Sequence, residues 1–205
     1  MPACSPWHDA GSTVTVALIA VDVQNDFTES GPFSLSGHDA IARAIGSYVA
    51  RYRHRYDLVI TTQDWHVEPG DHFVKHPVHC VAGTVGAALD PELDVGAGTP
   101  FEHLVDRHLY KGQFGDDYSG FRAIEEDGTD LPTLLQRNGV DQIDVCGFAE
   151  DGCVAATVRD GLAAGYRVRL LADLSGASSP SGKDQAESEL ALAGAEITLA
   201  TVAGS

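Results

Sequence analysis

The segment 14–22 is apolar at every position except Thr15 and its last residue, Asp22. A strand with one buried face alternates apolar and polar residues, whereas a continuous apolar run indicates burial on both faces. Strands buried on both faces are typical of parallel sheets that helices cover on each side. The segment therefore predicts a central strand of an α/β domain, with Asp22 at its carboxyl end.

The patterns that follow alternate between helical and extended spacing. Apolar residues recur at helical spacing across 39–55, and 58–62 then predicts a second strand. Further along we predict a strand at 104–110, a helix that Asp130 caps, a strand at 142–147, a helix at 152–164, a strand at 166–171, a loop at 175–182, a helix at 183–193 and a strand at 196–202. This order predicts a mostly parallel central sheet with helices on both faces. We expect the 205 residues to form one domain, 1–205, in which 1–12 are a loose N-terminal segment.

Composition excludes several classes of protein. The net charge of −17 repels phosphate backbones and anionic lipids, so we expect neither a nucleic-acid nor a membrane partner. The sequence contains no run of about 18 apolar residues and does not begin with a signal-peptide pattern, which predicts a cytoplasmic protein. The four cysteines show no CxxC spacing, which argues against a disulfide framework or a zinc ribbon: Cys4, Cys80, Cys146 and Cys153.

Four polar or reactive residues follow the first four predicted strands, namely Asp22, Asp64, Lys111 and Cys153. The carboxyl ends of parallel strands converge where ligands bind, so we expect these side chains to meet. We place Cys153 at the start of a helix, where backbone amides favour a thiolate, and assign it as the nucleophile. Asp22 would take its proton beside the cation of Lys111. Taken singly, each residue has a commoner role in a core, a turn or a surface ion pair, so the hypothesis depends on the three together.

A metal site is predicted beside this triad. The segment 65–103 shows no sustained period, as is typical of a functional loop. Asp64 and His66 project to one side of an extended chain, and the loop returns His72 and His79. Carboxylate and imidazole ligands suit Zn²⁺, Mn²⁺ or Fe²⁺, while a set of surface histidines is the alternative. The neighbouring His76 has no comparable spacing argument as a ligand.

The chain resembles the nicotinamidase/pyrazinamidase enzymes of the isochorismatase-like cysteine hydrolases, from Val16 to about Val202. The motifs that carry the resemblance stand in the family's order: Val21-Asp-Val-Gln-Asn-Asp-Phe27, Gln63-Asp-Trp-His66, Asp71-His72, His79-Cys-Val-Ala-Gly-Thr84, Tyr110-Lys-Gly112 and Asp151-Gly-Cys-Val154. The resemblance implies the isochorismatase-like hydrolase fold, and its triad and metal ligands coincide with the residues assigned above.

The resemblance also implies features that spacing alone does not. It implies a cis peptide between Phe148 and Ala149, and an oxyanion hole formed by the backbone amides of Ala149 and Cys153. It implies that Phe27 and Tyr118 enclose an aromatic ring. The chain departs from similar enzymes in two places. His76, which we take as the third substrate-binding residue, stands where they often carry tryptophan, and Gly152 is smaller than the residue usual before the nucleophile.

The activity implied by the resemblance is hydrolysis of nicotinamide, and of analogues such as pyrazinamide, to the acid and ammonia through a cysteine thioester. One divalent metal ion (Zn, Mn or Fe) is the implied cofactor, a small amide is the implied partner, and NAD salvage is the implied context. The alternatives are a related hydrolase of another small amide, carbamoyl or ureido group, and a metal-binding protein without turnover. Isochorismate hydrolysis fits less well, and a homo-oligomer is left open.

Overall fold

The computed structural model describes residues 14–35 and 37–200, so the predicted loose segment 1–12 lies outside the described residues. Six strands form one sheet in the order β3-β2-β1-β4-β5-β6. The strands are β1 (Val16–Val21), β2 (Leu58–Asp64), β3 (Arg107–Lys111), β4 (Gln142–Phe148), β5 (Arg167–Gly176) and β6 (Glu196–Thr198). The helices are α1 (His38–Tyr52), α2 (His72–Lys75), α3 (Leu131–Arg137), α4 (Ala155–Ala163) and α5 (Pro180–Ala193).

All neighbouring strands in this sheet are parallel, which confirms the predicted α/β architecture. Strand β1 lies between β2 and β4, and its side chains alternate between two hydrophobic cores. Ile19 packs in the core that contains residues of α3, α4 and α5, whereas Leu18 packs in the core that contains residues of α1. The continuous apolar run of β1 thus reflects helices on both faces of the sheet.

Several boundaries differ from the predicted ones. Strand β3 begins later than predicted, because residues 101–104 form a 3-10 turn instead. Strand β5 is longer than predicted and α5 begins earlier, which shortens the predicted loop 175–182. Strand β6 ends at Thr198, and the end of its predicted range lies outside the described residues. Within 14–35 and 37–200, no helix combines the length and the apolar content needed to cross a membrane.

The segment around Cys153 corrects a second prediction. Residues Glu150–Val154 form a π-type turn, and α4 begins only at Ala155. Gly152 has non-helical backbone angles there (φ −130°, ψ −108°), and the carbonyl of Ala149 accepts hydrogen bonds from the amides of both Gly152 and Val154. Cys153 therefore lies inside a tight turn before the helix, which we call the nucleophile turn (148–154).

Gly147 brings the nucleophile turn against the end of β1. Its φ of +117° suits glycine, and a Cβ at this position would lie 2.1 Å from the carbonyl oxygen of Val21. Strands β4 and β1 approach each other closely here, one residue before Asp22, because glycine has only a hydrogen in place of a side chain. This approach places the turn beside the aspartate.

Candidate active site

The structure brings the four predicted strand-end residues into one buried cluster. The ammonium nitrogen of Lys111 lies 2.8 Å from Oδ2 of Asp22 and 3.4 Å from the sulfur of Cys153. The same nitrogen donates to Oδ1 of Asp64 at 2.5 Å. Asp22 and Lys111 are at most 1% exposed, and Cys153 is 8% exposed. A single cation therefore holds two carboxylates and the thiol together.

Asp22 is oriented by the neighbouring strand β2. Its φ is +53°, uncommon for a residue with a side chain, and its amide donates to the carbonyl oxygen of Thr62 at 2.9 Å. The Thr62 hydroxyl donates back to Oδ1 of Asp22 at 2.9 Å. One carboxylate oxygen thus bonds to a hydroxyl, which leaves the other for Lys111 and the thiol.

Burial and Lys111 act in opposite directions on the acidic groups. Burial raises the pKa of Asp22 to about 6, against the opposing effect of Lys111. Burial also raises the pKa of Cys153 well above its usual range, again against Lys111. For Lys111 itself burial favours the neutral form, but Asp22 and Asp64 outweigh it and hold the pKa well above its ordinary value. At neutral pH these directions favour a thiol beside a carboxylate, and the thiolate that we predicted from a helix N-terminus is not supported.

The nucleophile turn contains the cis peptide between Phe148 and Ala149 that the resemblance implied. The ring of Phe148 stacks on the buried imidazole of His38, with centroids 4.0 Å apart and planes 18° apart. Ala149 and Cys153 both line the same cavity. The two residues of the predicted oxyanion hole therefore border the same cavity.

Three of the predicted metal ligands form a second buried cluster. Ligand atoms of His66, His72 and His79 lie within 4.8 Å of one another. Each imidazole bonds through Nδ1 to an oxygen: Gly112 O at 2.7 Å, Asp116 Oδ1 at 2.5 Å and Pro77 O at 2.7 Å, respectively. Such contacts fix the ring so that Nε2 is available to a metal.

The remaining atoms of this cluster fit a metal ion. Nε2 of His66 and of His72 are buried without a hydrogen-bond partner among the described residues. Oδ2 of Asp64 lies 3.9 Å from Nε2 of both His66 and His79. Burial lowers the pKa of all three imidazoles, which favours the neutral form that binds metals. Three neutral imidazoles and a carboxylate are a donor set suited to Zn²⁺ and similar ions.

Asp64 joins the two clusters, a role that we did not predict from the sequence. Its Oδ1 accepts from Lys111, while its Oδ2 faces the histidines. Gln24 fixes the backbone there, because its side chain accepts from the Asp64 amide at 2.8 Å and donates to the Asp64 carbonyl at 2.8 Å. Gln24 belongs to the first motif quoted above, so a signal for it was present in the sequence.

The two clusters open into one small cavity of about 80 Å³. Asp22, Lys111 and His66 lie behind its lining, which contains the three predicted substrate-binding residues and some members of each cluster: Phe27, Phe33, Asp64, His72, His76, His79, Tyr118, Ala149, Gly152 and Cys153. Nε2 of His76 lies 2.9 Å from the Tyr118 hydroxyl. The cavity is small, and aromatic and imidazole rings make up much of its lining.

Two residues of this region were missed by the sequence reasoning. The ring of Phe33 faces that of His79 at a centroid distance of 5.0 Å. Asp116 orients His72 and also pairs with Lys75. Neither residue follows a predicted strand nor belongs to a quoted motif, because both come from loops that only the tertiary structure brings to the cavity.

An all-parallel sheet with a buried cysteine, carboxylate and ammonium at its carboxyl edge defines a hydrolase of the α/β class with a cysteine nucleophile. A family model for the isochorismatase domain matches residues 16–202. The chain therefore belongs to the isochorismatase domain family.

Individual relatives agree with this assignment. The chain is 40% identical over 188 residues to the nicotinamidase/pyrazinamidase of Mycobacterium tuberculosis, covering 88% of this chain and 97% of that protein. It is similar to the crystal structure of PnC1 from L. infantum in complex with nicotinate, with a TM-score of 0.80 at 31% identity, covering 93% of this chain and 95% of that one. The pyrazinamidase of Pyrococcus horikoshii in complex with zinc has a TM-score of 0.74 at 31% identity, with 90% and 98% covered.

Proposed function

We propose that the chain is an amidohydrolase that converts nicotinamide, and analogues such as pyrazinamide, to the carboxylic acid and ammonia. One observation carries the proposal: Lys111 joins Asp22 to Cys153 at the wall of a small cavity lined largely by aromatic and imidazole rings. Two relatives that align with most of this chain, at 40% and 31% identity, are a nicotinamidase/pyrazinamidase and a pyrazinamidase by name.

The first half of the proposed reaction forms a thioester. Asp22 takes the proton of the Cys153 thiol, and the sulfur attacks the carboxamide carbon while the carbonyl electron pair moves to oxygen. Lys111 stabilises the thiolate as it forms, because its ammonium lies 3.4 Å from the sulfur. The amides of Ala149 and Cys153 would bind the oxyanion, a contribution worth about 10²-fold or more in rate per donor.

The second half releases both products. The tetrahedral intermediate collapses, the carbon–nitrogen bond breaks, and Asp22 returns its proton to the departing ammonia. Asp22, again a carboxylate, then takes a proton from water as the water oxygen attacks the thioester carbon. The carbon–sulfur bond breaks and Cys153 regains a proton, so one water is consumed for each acid and ammonia formed.

We further propose that Asp64, His66, His72 and His79 hold one divalent metal ion, with Zn²⁺, Mn²⁺ and Fe²⁺ as the candidates. Such an ion would supply a Lewis acid at the cavity wall for a ring nitrogen or for water. Two sets of contacts orient these ligands: an oxygen atom bonds to the Nδ1 of each histidine, and Lys111 donates a hydrogen bond to the Asp64 oxygen that faces away from the histidines.

The metal proposal predicts how metal content responds to single substitutions. Wild-type protein should purify with about one divalent ion per chain, and His66→Ala should lose it. Asp116→Ala should weaken metal affinity by about 10–100-fold, because His72 loses the acceptor that orients its ring. The measurement is elemental analysis with competitive chelator titration. His103→Ala is the matched control, since this exposed histidine lies outside the cavity lining. Equal metal content in wild type and His66→Ala would contradict the ligand set.

The pair of His76 and Tyr118 predicts a specificity effect. Their hydrogen bond adds polar groups to a cavity that Phe27 and Phe33 also line. Tyr118→Phe and His76→Ala are expected to raise KM for nicotinamide about 10-fold with kcat little changed, because we expect these residues to contact the ring and neither is hydrogen-bonded to the Cys153 sulfur. Steady-state kinetics measure the split. Val74→Ala, at an exposed position of the neighbouring helix α2, is the control.

The direct test of the function is product analysis. Incubation with nicotinamide should yield nicotinic acid and ammonia in equal amounts. A related hydrolase of another small amide, carbamoyl or ureido group is the alternative, because the polar groups of His76 and Tyr118 also suit a substrate with more hydrogen-bonding groups. Parallel ammonia release from such a panel separates the two. Release from the alternative substrates alone would contradict the nicotinamide assignment.

The cellular location and the pathway of the enzyme are part of the same proposal. We propose a small amide as the partner of a single-domain, cytoplasmic enzyme in NAD salvage. The net charge of −17 opposes nucleic-acid and anionic membrane partners.

A further inference from the structure

A buried ion pair lies next to the nucleophile turn and is not used in the mechanism. The Glu150 side chain is fully buried, and its Oε2 accepts from the ammonium of Lys183 in the first turn of α5. Glu150 stands between Ala149 and Cys153 in the chain, yet it does not line the cavity. The cost of removing a carboxylate and an ammonium from water often balances their attraction. Stability alone therefore does not account for this pair.

The ammonium of Lys183 uses all three of its hydrogens. Besides Glu150, it donates to the carbonyl oxygens of Ala172 at 2.7 Å and Ser175 at 2.9 Å, both in β5. The register between β4 and β5 shifts in this stretch, where β5 carries extra residues without regular partners on β4. Lys183 therefore binds carbonyls of the irregular part of β5 and the nucleophile turn with one nitrogen.

A second carboxylate fastens the same turn to the same place. Asp151 accepts from the amide of Ser178 at 3.0 Å and from the Ser178 hydroxyl. Gly182 packs against it so closely that a Cβ there would lie 2.3 Å from Oδ2 of Asp151. Glu150 is thus held by Lys183 of α5, and Asp151 is held by Ser178 in the loop between β5 and α5. Ala149, Gly152 and Cys153 line the cavity instead.

We propose that Glu150 and Lys183 are positioning residues, whose contact sets the placement of the Cys153 sulfur and the Ala149 amide relative to the substrate carbonyl. This inference rests on the proposed amidohydrolase function. The physical reason is that a displacement of about 1 Å between reacting groups costs roughly 10²-fold in rate. A turn with an irregular backbone lacks the hydrogen-bond ladder that would otherwise hold it.

The test compares Glu150→Ala with Glu150→Gln. Glu150→Ala should lower kcat for nicotinamide by at least about 10-fold with KM little changed, because the turn loses its contact with Lys183. Glu150→Gln keeps the side-chain length and an acceptor oxygen, so it should stay within about threefold of wild type. Both variants are expected to fold, since Glu187 lies 3.4 Å from the Lys183 ammonium and can take over as its partner.

Two further measurements separate positioning from general stability. Arg159→Ala breaks the exposed ion pair of α4 with Glu189 on α5, at 2.9 Å, without touching the turn, and should leave kcat unchanged. The rate of Cys153 alkylation by iodoacetamide, followed by peptide mass spectrometry, should fall at least about 10-fold in Glu150→Ala and not in Glu150→Gln.

The outcomes distinguish this proposal from the proposed function. Wild-type kcat and alkylation rate in Glu150→Ala, even with a lower melting temperature, would overturn the positioning role and leave the amidohydrolase assignment intact. An equal loss in Glu150→Gln would overturn it as well. If wild type releases no ammonia from any amide, the function fails, and the alkylation rates still decide whether the pair places the sulfur.

Discussion

Cys153→Ala is expected to abolish ammonia release from nicotinamide, with a loss in kcat of at least about 10³-fold, while the protein stays folded. The reason is that, within residues 14–35 and 37–200, no other thiol lines the cavity, so the thioester cannot form. The substitution removes a single sulfur atom, so its cost in stability is small compared with truncation of a large core side chain. The measurement is nicotinic acid formation by chromatography, with thermal unfolding monitored in parallel.

Cys146→Ala is the matched control for this prediction. Cys146 is a buried free cysteine on β4, outside the cavity lining, so its loss should change stability and leave turnover near the wild-type value. Activity retained in Cys153→Ala would contradict the nucleophile assignment, whatever the control shows. Equal inactivation of both variants would point to a folding effect instead.

Asp22→Asn is expected to lower kcat/KM for nicotinamide by about 10²–10⁴-fold. The amide has nearly the shape of the carboxylate, and its single oxygen can still accept from Thr62 or from Lys111. Its NH2 group takes the place of the other carboxylate oxygen and cannot take the thiol proton. Steady-state kinetics and metal analysis of the same preparation measure the effect. Asp144→Asn, a buried carboxylate that pairs with Arg169 outside the cavity, serves as control and should retain turnover.

The pH dependence checks the same assignment independently. Because burial raises the pKa of Asp22 to about 6, the carboxylate needed as base is present above pH 6 and is lost as the pH falls through that value. Wild-type kcat/KM should therefore fall about tenfold for each pH unit below 6, and the residual activity of Asp22→Asn should lack this acid limb. If the kcat/KM of Asp22→Asn fell at the same pH, the titrating group would be a residue other than Asp22.

The removal of Lys111 would be a poorer test of mechanism than either of these substitutions. Lys111 is the cation between Asp22 and Asp64, both of them buried. Breaking such a cluster leaves unpaired charge in the core and commonly costs about 3–5 kcal/mol. Loss of activity would then follow from loss of structure. The isosteric change at Asp22 avoids this ambiguity.

Much of the fold was predictable because its signals are local. The apolar run of β1 reported burial on both faces, and the apolar spacing of α1 reported a single buried stripe. Asp130 caps α3 as predicted, since its carboxylate accepts from the Thr133 amide at 2.9 Å. A helix cap depends on residues within the first helical turn, and the apolar pattern that indicates a buried face lies within one segment. Both can therefore be recognised in the sequence alone.

The boundaries near the site were less predictable. Helix α4 was predicted to begin at Gly152, but residues 150–154 form a π-type turn instead. The extent of β5 was also missed, because its register shifts against β4 at Gly147. Gly147 itself lies against Val21, a residue more than a hundred positions away. Such close contacts between strands leave no periodic pattern in either segment.

The sequence by itself determined the layers of the sheet, the residue types at the strand ends, and the histidine-rich loop beside them. Only the tertiary structure decided that Asp64 bonds to Lys111 while facing the histidines, that Phe33 and Asp116 complete the cavity and the metal cluster, and that Glu150 pairs with Lys183. The physical reason is that burial follows from local runs of residues. Distances between side chains instead depend on strand register and on turns held by residues remote in the chain.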